Sequence, residues 1–257
     1  MPAPILTLTT DFGLSDHYVG SMKGVILGIC PRVQIVDISH QVSPFSIAEG
    51  AFLIAQAYRY FPRGTVHVVV IDPGVGSARR PIVMEAAGQF FVAPDNGVLA
   101  MIFAREKHKV RVISNARYFR KPVSQTFHGR DIFAPAAAHI AAGILTAKMG
   151  KTIADYLRPP FEKPRQAGER TWTGEILTVD RFGNVVTNFH VDDFPTFEEL
   201  AIGRAKVRRL VRSYAEANAA ELVAIMGSSG YLEVSLKQDS AAKKIGCRAG
   251  GACQIRM

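Results

Sequence analysis

Through the first half of the chain, short apolar runs alternate with stretches whose apolar residues recur every three or four positions. ILTLTT (5–10), VQIVDI (33–38), residues 65–71, FFVAP (90–94) and VRVI (110–113) are short, apolar and rich in β-branched or aromatic side chains, and they read as strands. Between them Val19, Met22, Val25, Ile26 and Ile29 trace one face of a helix over 16–29, stopped by Pro31. Residues 46–60 open on Ser46 with Glu49 three positions later, the spacing of a capping box, and predict a second helix. An apolar segment follows at 98–104, and the alanine-rich IFAPAAAHIAAGI (132–144) predicts another helix. Strands alternating with helices imply a three-layer α/β domain on a largely parallel sheet, over residues 1–160.

The texture then changes. YLRPPFEKPRQAGER (156–170) sets three prolines among charges, and 161–170 reads as a linker. Beyond it TWTGEILTVDRFGNVVTNF (171–189), AKVRRLV, ELVAIM, GYLEVSL and ACQIRM are short strand-like runs between turns, with a brief helical stretch at 213–221. Residues 171–257 therefore predict a small all-β domain, a barrel or sandwich.

Composition narrows the class. No run reaches the ~18 apolar residues of a membrane span, and the N-terminus lacks the basic and apolar regions of a signal peptide. Three cysteines, Cys30, Cys247 and Cys253, are too few and too odd for a disulfide framework, which points to a reducing cytoplasm. They also lack the company of histidines that a zinc site needs. The net charge of +9 raises nucleic-acid binding. Its densest cluster, Arg204, Lys206, Arg208, Arg209 and Arg212, has little aromatic interleaving and reads better as a solvated surface.

In open α/β sheets ligands bind beyond the carboxyl ends of the strands. At those ends stand Asp11 and Asp16, Asp72, Asp95 and Asn96, and, ahead of the alanine-rich helix, Thr126, His128, Arg130 and Asp131. Arg79 and Arg80 follow the glycine turn after Asp72. Each has a plain alternative. Asp11 and Asp16 suit helix caps; Asp72-Pro73-Gly74 and Asp95-Asn96-Gly97 suit turns; His128 and the arginines suit the surface. GVGSARR lacks the GK[ST] of a phosphate loop, no GxGxxG follows the first strand, and GSSG (227–230) lacks the spacing of a nucleophile elbow. A carboxylate, a histidine and an arginine would suit positioning and deprotonating a water.

These residues, in TTDFGLSDHYVGSMKGVI (9–26), IDPGVGSARR (71–80), APDNGVL (93–99), TFHGRDIFAPAAAHIA (126–141), DRFGNVVTN (180–188) and GSSGYLEV (227–234), resemble the S-adenosyl-L-methionine (SAM) hydroxide adenosyltransferases, or SAM hydrolases, relatives of the SAM-dependent fluorinating and chlorinating enzymes. The resemblance implies an N-terminal α/β domain, a C-terminal β-barrel, and a homotrimer binding SAM between subunits. It implies hydrolysis of SAM to adenosine and L-methionine, with no cofactor, no metal and no nucleic-acid or membrane partner. It assigns the attacking water to Asp72, Arg79 and His128, with Arg80 as the second-ranked arginine. Asp11 resembles the ribose ligand, Asp16 and Asp180 the ammonium contacts, Ser228 the methionine carboxylate contact and Asn184 an adenine contact. Phe45 and Phe182 resemble rings packed on the nucleoside. Where the family often reads Ser-Arg-Gly, this chain has Ser228-Ser229-Gly230, which leaves room for a SAM- or adenosine-binding module with little turnover. Halogenation is the rival within the family. There the short 80–91 region lacks the fluorinating enzymes' extra loop, and Asp72 would repel a halide by about 4 kcal/mol at 4 Å and an effective dielectric of 20.

Overall fold

The computed structural model describes residues 2–159 and 163–257. The chain forms two compact units, Met1–Phe161 and Glu162–Met257.

In the first unit the strands are β1 (Ile5–Thr10), β2 (Gln34–Ser39), β3 (Val66–Val70), β4 (Pro81–Ala86), β5 (Gln89–Pro94), β6 (His108–Val112) and β7 (Thr152–Ile153). The helices are α1 (Tyr18–Ile29), α2 (Ile47–Ala57), α3 (Ala100–Arg105) and α4 (Ala134–Ala141). The sheet order is β2-β1-β3-β5-β4-β6-β7. The first four strands run parallel, whereas β4, β6 and β7 pair antiparallel. The sheet is therefore mixed, where the alternating pattern predicts a largely parallel one.

The difference lies in β4. Its run PIVMEA joins β5 through the two-residue turn Ala87-Gly88, with φ +51° and +74°. Positive φ at both positions is the hairpin turn that matches strand twist, but Ala-Gly carries less of a signal than Asn-Gly. The consequence reaches the sheet edge. Because β4 runs backwards, Pro81 pairs with Pro94, and Arg79 and Arg80 arrive at the same edge as the carboxyl ends of β1, β3 and β5.

Alternation in β1 and β3 sends Leu6, Leu8, Val66, Val68 and Val70 into one core, with Met22 and Ile26 of α1 and the small residues of α4. Those alanines let α4 lie close on the sheet. On the other face α2 packs near Ile71, and Phe91 stacks on His67 and meets Tyr58 edge-on.

The second unit is a curled, mostly antiparallel sheet. Its strands are β8 (Arg165–Gly168), β9 (Thr171–Val179), β10 (Val185–His190), β11 (Glu199–Ile202), β12 (Ala205–Val207), β13 (Leu210–Val211), β14 (Leu222–Met226), β15 (Tyr231–Leu236) and β16 (Ala252–Arg256). The order is β12-β11-β16-β9-β10-β15-β14-β13, with β8 on β9, and β13–β14 is a parallel pair. This path is open, with β12 and β13 at its ends. Residues 165–168, read above as linker, instead extend the sheet; 161 and 162 of that linker lie outside the described residues. The helical reading of 213–221 is corrected too. Only Tyr214–Glu216 makes a single 3-10 turn there. The helix of this unit is α5 (Ala241–Ile245), where the Ser240 hydroxyl accepts from the Lys243 N–H and Gly246 (φ +73°) ends the turn.

Candidate active site

The turn after β3 is built to bring Arg79 back to Asp72. The Val75 N–H donates to the Asp72 carbonyl (3.2 Å) and the Ser77 hydroxyl to the Gly74 carbonyl (2.6 Å). The Arg79 N–H donates to the Ser77 hydroxyl (3.3 Å). Gly76 sits at φ +78°, and a Cβ there would lie 2.5 Å from the Gln125 carbonyl oxygen. Only glycine lets this turn press against the loop that leads to His128.

Arg79 then grips Asp72 with two nitrogens. Its Nε donates to Oδ1 at 2.9 Å, and its Nη2 donates to Oδ2. Nη2 also lies 2.7 Å from His128 Nδ1, a distance at which the imidazole accepts. The Arg79 guanidinium rests over the Phe133 ring at 5.1 Å. The side chains of Arg79 and Asp72 are 8% and 5% exposed, so this is a desolvated pair. Arg79 Nη1 is buried with no protein partner, a donor free to meet a small bound oxygen. Burial, and next the Arg79 charge, lower the His128 pKa, so its neutral form is favoured. His128 caps a single π turn, Gly129–Phe133, ahead of α4; such turns recur at functional sites.

Asp11 and Phe45 stand on the neighbouring strand ends. Thr10 pairs with Val70, so Asp11 follows β1 beside the segment that ends in Asp72. Asp11 Oδ2 accepts the Phe45 N–H at 2.9 Å. Phe45 is held at φ +67° with 71% of its surface exposed. A bulky residue in the left-handed region is strained, and such strain concentrates at ligand sites. Asp16 is exposed, just before α1.

Beneath this edge lies His40, which the chain's pattern does not single out. Its Nδ1 is 2.9 Å from the Thr10 hydroxyl, and its carbonyl accepts the Gly13 N–H at 2.7 Å. Its Nε2 lies 3.0 Å from Asp37 Oδ1. Both contacts on Thr10 and Gly13 bracket Asp11.

Arg80, the second-ranked arginine, is spent elsewhere. It binds Asp95 (2.8 Å) and Asp155 (3.0 Å), while Asn96 Nδ2 donates to the Ile71 carbonyl at 2.8 Å. Asp131 is fully buried against Arg130 (2.7 Å) and Arg120 (3.4 Å). These groups hold the edge together.

The remaining residues meet in the second unit. Asp180, Phe182, Asn184 and Ser228 line one cavity of about 1230 Å³, with Tyr214 and Glu233. Asp180 Oδ1 accepts the N–H groups of Phe182 (2.9 Å) and Asn184 (2.8 Å), and Oδ2 accepts Asn184 Nδ2 (2.8 Å). Most of its acceptor capacity thus serves its own turn. Phe182 is 78% exposed. Ser229, beside Ser228, has a buried hydroxyl without a partner. Tyr214 and Glu233 are additions of the structure; the one hint of Glu233 was a lone acid inside the apolar run GYLEVSL.

Sequence-family comparison matches residues 6–150 to the SAM hydroxide adenosyltransferase N-terminal domain and 174–254 to the C-terminal domain. The chain belongs to this family. An (R)-S-adenosyl-L-methionine hydrolase of Salinispora tropica is 35% identical, covering 99% of this chain and 98% of that protein. One from Methanocaldococcus jannaschii is 36% identical over 93% and 90%. A fluorinase of Nocardia brasiliensis is 29% identical over 99% and 97%. Among solved structures, an uncharacterized conserved protein from Thermotoga maritima superposes with a TM-score of 0.91 at 37% identity, covering 98% of this chain and all of that one. No group of three metal-binding side chains occurs among the described residues, and no helix there is long and apolar enough to cross a membrane.

Proposed function

We propose that this protein hydrolyses S-adenosyl-L-methionine to adenosine and L-methionine. The observation that carries the reading is the desolvated Asp72–Arg79–His128 cluster with its spare buried donor. A water oxygen forms the bond to the ribose C5′ as the C5′–S pair departs with sulfur. The sulfonium leaves as a neutral thioether, so the leaving group needs neither a general acid nor a metal or other cofactor. What remains is to align a water and to stabilise hydroxide-like charge. Arg79, fixed from two sides, supplies the charge; Asp72 and His128 are the groups at hand for the proton.

The other roles follow the family resemblance. Asp11 receives the ribose hydroxyls, Asp16 and Asp180 the ammonium, Ser228 the carboxylate and Asn184 the adenine, with Phe45 and Phe182 packing on the nucleoside. On this reading the protein is a cytoplasmic homotrimer with sites at subunit interfaces, and the curled second sheet is the family's barrel. A halide is disfavoured beside Asp72, and the two-residue turn between β4 and β5 leaves no extra loop there.

The test uses protein whose mass is first fixed by sedimentation equilibrium, with three chains expected and a monomer contradicting the assembly. It is incubated with SAM in chloride-free buffer containing a chelator, and the products are separated. Equal adenosine and methionine are expected. Intact SAM, with adenosine released only on denaturation, would establish the binding module instead.

A further inference from the structure

Counted by the whole residue, backbone included, three acidic residues among those described are more than nine-tenths buried: Asp131, Glu199 and Glu233. A buried carboxylate needs a counter-charge. Asp131 has Arg130 and Arg120, and Glu199 has Lys206 (3.2 Å) and Arg208 (2.7 Å). Glu233 has only a phenol, the Tyr214 hydroxyl at 3.3 Å. Arg181, Arg212 and Lys243 line the same cavity, as do Asp180 and Asp239, yet none of these three cations forms an ion pair with Glu233. Burial, with the nearby charge of Asp180, accordingly raises its pKa.

The carboxylate is also closely packed: a Cβ on Gly227 would overlap Glu233 Oε1, so the backbone of the loop carrying Ser228 lies against it. Of the cavity's other acids, Asp180 spends most of its acceptor capacity on its own turn, and Asp239 accepts the Ser240 N–H at 2.7 Å.

We propose that Glu233 is a specificity-determining residue that joins Asp180 in receiving the α-ammonium of the substrate's amino-acid end. It would select a zwitterionic adenosyl amino acid over a bare nucleoside, while Arg212 and Lys243 suit the carboxylate of the same end. The assignment rests on the SAM reading above.

The test compares wild type, Glu233→Gln and Glu233→Asp. Gln keeps the shape and the acceptor for Tyr214 but removes the charge; Asp keeps the charge. Three ligands separate the groups: SAM (KM for cleavage), S-adenosylhomocysteine, which keeps the ammonium but lacks the sulfonium, and adenosine, which lacks both (Kd by calorimetry). Glu233→Gln is expected to weaken SAM and S-adenosylhomocysteine alike, by about tenfold, and to leave adenosine within twofold. Glu233→Asp should recover part of the loss. Weakening of SAM alone would place the sulfonium there and overturn the ammonium assignment. Equal change for all three ligands, or none, would make Glu233 structural. If wild type binds adenosine normally but neither charged ligand, the hydrolase reading fails and takes this assignment with it. If wild type cleaves SAM and Glu233→Gln matches it, only the assignment fails.

Discussion

Arg79 and Arg80 are adjacent in sequence and opposite in use. Arg79 is clamped between Asp72 and His128, whereas Arg80 ties Asp95 to Asp155 across the rim. A planar guanidinium can hold two partners in fixed directions at once, and a lysine ammonium cannot match that fork. Arg79→Lys should therefore lower kcat for SAM cleavage by about 10²-fold, the scale of losing one positioned electrostatic donor, with KM changed less. Asp72→Ala and His128→Ala should each cost 10²-fold or more. Arg80→Ala should lower the melting temperature and leave kcat within a few-fold. Steady-state kinetics and thermal melts on the four variants check the pattern; an Arg80→Ala that abolishes turnover while Arg79→Lys does not would reverse the two roles.

At the scale of elements, the site depends on how strand ends are tied. The loop after β1 is held to the loop after β2 at His40, through Thr10 on one side of Asp11 and Gly13 on the other. On the proposed reading, in which Asp11 receives the ribose hydroxyls, His40 is a positioning residue that acts through Asp11. His40→Ala should raise the KM for SAM by about tenfold, roughly one lost hydrogen bond, with kcat within threefold. His40→Asn, whose amide oxygen can replace Nδ1 as acceptor for the Thr10 hydroxyl, should recover much of it. A loss in kcat alone, or no recovery with Asn, would place His40's effect elsewhere.

At the scale of the whole molecule, acid stability is written into the first unit's core. His67 is fully buried and stacked on Phe91, with Nδ1 2.7 Å from the Thr7 hydroxyl and Nε2 3.2 Å from Gln89 Oε1. Burial pushes its pKa down to about 4 from 6.5. Between those values the unfolded chain takes a proton that the folded one refuses, so stability falls as pH drops from about 6.5 to about 4. The loss is about 3 kcal/mol at 1.36 kcal/mol per pKa unit. Urea unfolding of the first unit at pH 7 and pH 4.5 should show it, and His67→Gln, which does not titrate, should flatten the dependence. An equal loss in that variant would assign the acid sensitivity to other groups.

Much of this was legible in the order of residues alone. Apolar period and turn chemistry place the parallel strands β1, β2, β3 and β5 and their helices, because strands of a sheet are rich in apolar and β-branched side chains and a helix must show its stripe. They also deliver Asp11, Asp72 and His128 to strand or helix ends, and the motif order points to the family. What the order of residues left open was decided by contacts distant in sequence. The reversal of β4, signalled only by Ala87-Gly88, carries Arg79 rather than Arg80 to Asp72. The packing of Gly76 on Gln125 brings His128 within reach. Glu233 looks like any polar residue in a strand until folding seats Gly227 against its carboxylate and pairs it with no cation. Spacing along a chain sets which residues can share a face; which charge finds a partner, and which is left for a ligand, depends on the solvent that the folded chain removes.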